Sequence, residues 1–99
     1  MRKIEEQMNH AIRYRKNWAG SNTTVTCFKE NGITTEVNVM LHGNCIAWID
    51  TATNDLNISS AGWETVTTKS RLNALLEEFR DGARVVQKNW EWFLHDMGT

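Results

Sequence analysis

Apolar side chains recur at helical spacing near the start of the chain. Residues 4–16 therefore predict a first helix with a thin apolar stripe, because Ile4, Met8, Ala11, Ile12 and Arg15 lie at helical spacing. Glu5 and Glu6 lie in its first turn and three cations lie in its last turn, an arrangement that the helix dipole favours. The run Ala19-Gly20-Ser21-Asn22 indicates the end of this helix.

A strand-like pattern of β-branched, aromatic and alternating residues follows over residues 23–59. It predicts four short strands spaced about ten residues apart, over residues 23–29, 35–41, 45–50 and 56–59. Tight turns separate them at Asn31-Gly32, His42-Gly43-Asn44 and Asn54-Asp55. Because such turns join antiparallel neighbours, we expect a four-strand meander.

The helical period returns in the last third of the chain. Leucines and Phe79 at i, i+3, i+4 and i+7 predict an amphipathic helix over residues 68–79, with Thr67 or Thr68 as its N-cap and Asp81-Gly82 at its end. Residues 83–97 predict one or two further strands around Lys88-Asn89. The resulting order predicts an α+β fold, in which an antiparallel meander sheet of four to six short strands carries two helices packed on one face.

Length and composition favour one small domain over residues 1–99. The chain is 40% hydrophobic and holds six Gly and no Pro, a globular composition. No apolar run approaches the roughly 20 residues of a membrane helix. Glu5 and Glu6 stand where a secretion signal would be apolar. Cys27 and Cys45 fit a reduced compartment as small core residues, so we expect a cytosolic protein without a membrane partner.

The predicted second helix carries its charges at the ends that its dipole disfavours. Lys69 and Arg71 lie in its first turn, while Glu77 and Glu78 lie in its last turn. Free N–H groups at a helix start attract anions, so the cations and three nearby hydroxyls predict a site for phosphate or carboxylate. The hydroxyls belong to Thr65, Thr67 and Thr68. The alternative is that both cations point into water.

Two other features are candidates for the same site. His42 and Asn44, in the second turn, can bind an anion by hydrogen bonds, although such a turn needs no function. Trp63 precedes the basic helix start and can stack on a base, although five tryptophans in a small chain also suit a core or an interface. If the His42 turn lies beside the start of the second helix, these groups form one pocket.

The cations of the first helix have two explanations. Arg13, Arg15 and Lys16, with Tyr14 among them, suit contact with an acidic partner or a nucleic-acid backbone. Favourable pairing with the helix dipole explains them without any partner. The formal net charge of -1 argues against a protein that coats nucleic acid.

The sequence gives only thin support for catalysis. The chain has no glycine-rich phosphate loop, no nucleophile-elbow motif and no zinc-protease motif. Its three histidines and two cysteines lack metal-ligand spacing. We therefore expect a protein that is not an enzyme and that uses neither a metal nor a cofactor.

Three stretches resemble a family of small proteins encoded by tailed bacteriophages. They are NTTV at residues 22–25, LHGNCIA at 41–47 and GWETVTTKSRLNAL at 62–75, and the likeness covers most of residues 17–95. Small phage proteins of this size often antagonise host defence. The resemblance therefore implies a non-enzymatic binding protein, such as an anti-CRISPR-like inhibitor or a nucleotide-signal sponge, whose partner is a host defence protein or an anionic nucleotide. Self-association would bury its last strand. The alternatives are a nucleic-acid-binding accessory protein and a ligand-free virion or assembly factor.

Overall fold

The computed structural model describes residues 1–62, 64–80, 82–88 and 91–96. Helix α1 spans Lys3–Arg13, and helix α2 spans Val66–Phe79. The Glu5 carboxylate begins α1 by accepting the backbone N–H of Arg2 at 3.2 Å, as one half of a capping box does. Both predicted helices are confirmed. The first ends earlier than predicted because Arg15 adopts the left-handed conformation, with φ 53°.

Five strands form the main sheet in the simple order β1-β2-β3-β4-β5, with every neighbouring pair antiparallel. Four of them match the predicted meander. The strands are β1 (Trp18–Gly20), β2 (Thr23–Glu30), β3 (Ile33–Leu41), β4 (Asn44–Asp50) and β5 (Asp55–Ile58). The prediction missed β1, because Ala19 and Gly20 were assigned to the end of the helix. They instead pair with Thr24 and Thr23 of β2.

Two hairpins of the sheet turn through left-handed residue pairs. Asn31 and Gly32 have φ of 53° and 79°, and His42 and Gly43 have φ of 50° and 80°. Positive φ at both central residues matches the right-handed twist of the flanking strands. The predicted three-residue turn at His42 is thus one residue shorter, and Asn44 is the first residue of β4.

Both helices lie against one face of the sheet and close a single apolar core. The sheet supplies Val25, Val37, Val39, Leu41, Ile46, Ala47 and Ile49, all buried. The helices supply Met8, Ala11, Ile12, Leu72, Ala74, Leu75 and Leu76. Alternation leaves the side chains of the other face partly exposed, among them Asn38 and Trp48. The predicted α+β architecture is confirmed.

The end of the chain forms a separate two-stranded sheet, so the tail holds two strands. Strand β6 (Ala83–Lys88) pairs antiparallel with β7 (Glu91–Asp96). Asn73 of α2 fixes β6 through two hydrogen bonds: its amide donates to the Val85 carbonyl at 3.2 Å and its oxygen accepts the Val85 N–H at 2.6 Å. Burial of Ala83 and Val85 adds this hairpin to the core.

A β-bulge lies where β3 meets β4. Val39 pairs with Ala47, whereas Met40 pairs with Cys45, so Ile46 is the additional residue. The bulge allows the consecutive residues Ile46 and Ala47 to be buried together, with 1% and 0% exposure. Bulges redirect side chains and often lie near functional sites. Here the bulge directs Ile46 towards the start of α2.

Candidate functional site

Helix α2 begins two residues earlier than predicted, with Thr65 as its N-cap. The Thr65 hydroxyl oxygen accepts the backbone N–H of Thr68 at 3.1 Å and lies 3.0 Å from the Thr68 hydroxyl. The predicted caps, Thr67 and Thr68, are wrong because both lie inside the first turn. The backbone N–H groups of Val66 and Thr67 have no intrahelical acceptor, as at any helix start.

A cavity of about 210 Å³ lies beside this helix start. It brings together the three threonines of the helix start and two residues of the β3–β4 hairpin, over an apolar wall from the sheet. Its lining residues are Thr65, Thr67, Thr68, His42, Asn44, Leu41 and Ile46. The structure therefore juxtaposes five of the predicted site residues. Neither aliphatic wall residue was among the predicted set.

Hydrogen bonds hold the β3–β4 turn over the cavity. The backbone N–H of His42 donates to the Asn22 carbonyl at 2.8 Å. The imidazole Nε2 of His42 lies 3.4 Å from the side-chain amide nitrogen of Asn22. The Asn44 amide donates to the His42 carbonyl at 3.4 Å. Because these contacts tie the turn to the start of β2, His42 and Asn44 are positioned by the sheet as well as by their own hairpin.

The expectation that Arg71 faces an incoming anion needs correction. Its side chain is buried, and its guanidinium donates to Glu5 Oε2 at 2.8 Å, to Thr23 Oγ1 at 3.0 Å and to Asn22 Oδ1 at 3.3 Å. The Ser70 hydroxyl donates to the same Glu5 oxygen at 2.6 Å. An internal carboxylate thus neutralises Arg71, which does not line the cavity.

The helical spacing of the sequence indicates that Arg71 is buried. Thr68, Arg71, Leu72 and Leu75 lie at i, i+3, i+4 and i+7, and all four are buried. Glu5 shares a face of α1 with the buried Met8 and Ile12. Arg71, one of the two cations that gave the start of α2 its unfavourable charge, is therefore a core residue.

Lys69 and Trp63 are the two remaining residues of the predicted site. Lys69 is half-buried and does not line the cavity. Trp63 lies outside the described residues, as does Trp90. Among the tryptophans that the structure describes, Trp18 and Trp92 pack against the core.

The local environment shifts the pKa of two groups. Burial alone would raise the pKa of Glu5, but hydrogen bonds from Ser70, Arg71 and the Arg2 backbone, with the charge of Arg71, hold it below its ordinary value. Burial raises the pKa of the Cys27 thiol. Both cysteines are free and half-buried. Within the described ranges, no group of three or more metal-ligating side chains is arranged to hold a metal ion.

One exposed cation of α1, Arg13, makes contacts within the protein. Arg13 pairs with Glu78, and its guanidinium lies 5.3 Å from the centre of the Phe79 ring. Arg15, Lys16 and Tyr14 are exposed beyond the helix end. Through the part of the chain described above, no helix has the length and apolarity needed to cross a membrane.

These features define a small α+β protein with a helix-start cavity roofed by a sheet hairpin. The whole chain, residues 1–99, matches the model of the family described as Kyanoviridae Gp96 protein. The chain therefore belongs to this phage protein family, which agrees with the phage origin that its motifs implied. No curated protein and no solved structure matches it.

Proposed function

We propose that this phage protein is a non-enzymatic binding protein that antagonises a host defence protein by capturing one of its acidic side chains. The observation that carries the proposal is the convergence of His42, Asn44 and three threonines on one cavity at the start of α2. Membership of a phage family supports the biological setting.

The chemistry of the cavity suits a single carboxylate. The N–H groups of Val66 and Thr67 and the positive end of the helix dipole favour a negative group by about 0.3–1 kcal/mol at an exposed site. Threonine hydroxyls and the Asn44 amide supply further donors. Leu41 and Ile46 form an apolar wall for the methylene groups of an aspartate or glutamate.

The volume of the cavity favours a side chain over an entire nucleotide. Sites that enclose a drug-sized ligand measure about 300–1,000 Å³, whereas this cavity measures about 210 Å³. One anionic group fits, and the remainder of its molecule lies outside. A nucleotide sponge, which must bury most of its ligand, is therefore less well supported than an inhibitor that docks on a protein surface.

A pair of substitutions at Thr65 tests the binding site. Thr65→Ser keeps a neutral cap, while Thr65→Asp keeps a cap but adds a carboxylate at the cavity. We expect both variants to fold, and we expect only Thr65→Asp to lose affinity for N-acetylglutamate amide in a calorimetric titration. Equal affinity for the two variants would contradict an anion site. Stronger binding of a mononucleotide than of the amino-acid probe would contradict the choice of a protein side chain.

A plating assay tests the antagonism itself. Phage that encode wild-type protein, the Thr65→Asp variant or no protein would be plated on hosts with and without individual defence systems. We expect Thr65→Asp and the deletion to lower plating only where one particular system is present. Equal plating on all hosts, or defective virions regardless of host, would overturn the proposal and support an assembly role.

A further inference from the structure

Asn22 connects the buried cation Arg71 to the turn that carries His42. Its side-chain oxygen accepts from the Arg71 guanidinium at 3.3 Å and from the Thr23 hydroxyl at 2.9 Å. Its side-chain nitrogen lies 3.4 Å from His42 Nε2, and its backbone carbonyl accepts the His42 N–H at 2.8 Å. One amide group thus contacts a core cation on one side and a residue of the cavity at the start of α2 on the other.

The orientation of the Asn22 amide follows from its partners on the core side. A guanidinium has donors but no acceptor, so Arg71 can face only the amide oxygen. Arg71 Nε also donates to Thr23 Oγ1 at 3.0 Å, which leaves the Thr23 hydroxyl proton for the same amide oxygen. Because both contacts require an acceptor, the side-chain nitrogen of Asn22 is directed at His42.

This orientation of the amide determines the protonation state of the imidazole. The side-chain nitrogen of Asn22 is a donor, so His42 Nε2 must accept and therefore carries a lone pair. A neutral imidazole has one ring proton, which then lies on Nδ1. In an imidazolium, the N–H at Nε2 would face the N–H groups of Asn22. The contact with Asn22 therefore favours the neutral ring.

His42 is also the residue that can change the charge of the cavity near neutral pH. Among the described residues that line the cavity, it is the only one with a titratable side chain. The charges that reach it through Asn22 are those of Arg71 and Glu5, which neutralise each other in an ion pair at 2.8 Å. Protonation of His42 would therefore give the cavity a positive charge beside the helix start.

We propose that Asn22 is a positioning residue of the anion site: it holds His42 as the neutral imidazole with its proton on Nδ1, whereas a bound carboxylate favours the imidazolium. Anion binding is then coupled to uptake of one proton from solvent at Nε2 and to loss of the contact with Asn22. Acid therefore strengthens anion binding. This dependence on pH rests on the proposed function, whereas the state of the imidazole in the free protein does not.

Nitrogen nuclear magnetic resonance of the free wild-type protein tests the state of the imidazole, because the two ring nitrogens have different chemical shifts in each tautomer. Comparison with His42→Asn identifies the His42 signals among those of the three histidines. At about pH 8.5, where a histidine side chain is ordinarily neutral, we expect the proton on Nδ1. A proton on Nε2 would overturn the proposal, whether or not an anion binds.

An isosteric substitution tests whether Asn22 is the cause. In Asn22→Asp the carboxylate still accepts from Arg71 and Thr23, but it presents an acceptor to the imidazole. We therefore expect a proton on His42 Nε2 in this variant. Asn44→Asp, the charge-matched control, adds a carboxylate elsewhere on the cavity and should leave the proton on Nδ1. An unchanged tautomer in Asn22→Asp, or the same change in both variants, would overturn the role of Asn22.

Calorimetric titration with N-acetylglutamate amide tests the dependence on pH. We expect the affinity of the wild-type protein to rise about two- to fivefold between about pH 8 and about pH 6, as for one added exposed ion pair. His42→Asn should show no such rise. Binding that does not depend on pH would overturn the coupling to His42 and leave the anion site intact. Absence of binding at both pH values would overturn the anion site and the coupling, while the wild-type tautomer would still decide the role of Asn22.

Discussion

Glu5 and Arg71, 66 residues apart in the chain, form a buried ion pair in which Oε2 and Nη1 are separated by 2.8 Å. The pair joins the first turn of α1 to the second turn of α2, and the Arg71 hydrogen bond to Thr23 extends it to β2. It therefore fixes the two helices against the sheet next to the candidate anion site. Its position explains why a cation occupies the start of a helix without facing a ligand.

Removal of one partner of this pair should strongly destabilise the fold. We expect Arg71→Met to lower the free energy of unfolding by about 3–5 kcal/mol, because Glu5 would remain buried and uncompensated. Glu5→Leu/Arg71→Met should recover much of that loss. Urea unfolding followed by circular dichroism measures both variants. A loss below about 1 kcal/mol for the single variant would show that the pair is not structural.

Acid should weaken the protein through the same carboxylate. The folded pKa of Glu5 lies below its ordinary value of 4.5, so its stabilising contribution is complete above that value and is lost as the pH falls through the lowered pKa. Glu5→Gln should show a shallower loss of stability below pH 4.5 than wild type. Glu6→Gln, at the exposed neighbouring position, is the control and should keep the wild-type slope in acid unfolding curves.

The turn at His42 offers a substitution that separates folding from binding. Asn adopts positive φ readily and is preferred before Gly in two-residue hairpins. His42→Asn should therefore melt at or above the wild-type temperature while losing the imidazole at the cavity. His42→Val should melt lower, because a β-branched residue resists a φ of 50°. A wild-type melting temperature for His42→Val would refute this account of the turn.

Asn73 should hold the terminal hairpin to the body of the protein. We expect Asn73→Leu to destabilise the fold by about 1–3 kcal/mol, since the carbonyl and N–H of Val85 lose their partner. Hydrogen exchange should accelerate at β6 more than at β3. A matched substitution at an exposed position of the same helix, Glu77→Leu, should leave exchange in β6 unchanged. Uniform acceleration across all strands would contradict a local role for Asn73.

Local patterns along the chain were sufficient for most elements of this fold. The period of Leu72, Leu75 and Phe79 predicted α2. Asn31-Gly32 and the turn His42-Gly43-Asn44 predicted two hairpins, because helix periodicity and positive φ are properties of short segments. The strand Trp18–Gly20 escaped prediction because it has three residues and exists through pairing with β2.

Five of the eight residues predicted for the candidate site line the cavity, whereas the two predicted cations, Lys69 and Arg71, do not. The likeness to phage proteins ran through His42, Asn44 and the threonines, and the structure places them around one cavity. The local sequence around Arg71 does not reveal its ion-pair partner, because that partner is Glu5, near the other end of the chain. Local sequence specifies dihedral preferences and apolar faces. The pairing of buried charges is instead decided by which helix faces meet in the folded protein, because a charge needs a partner only where packing removes it from water.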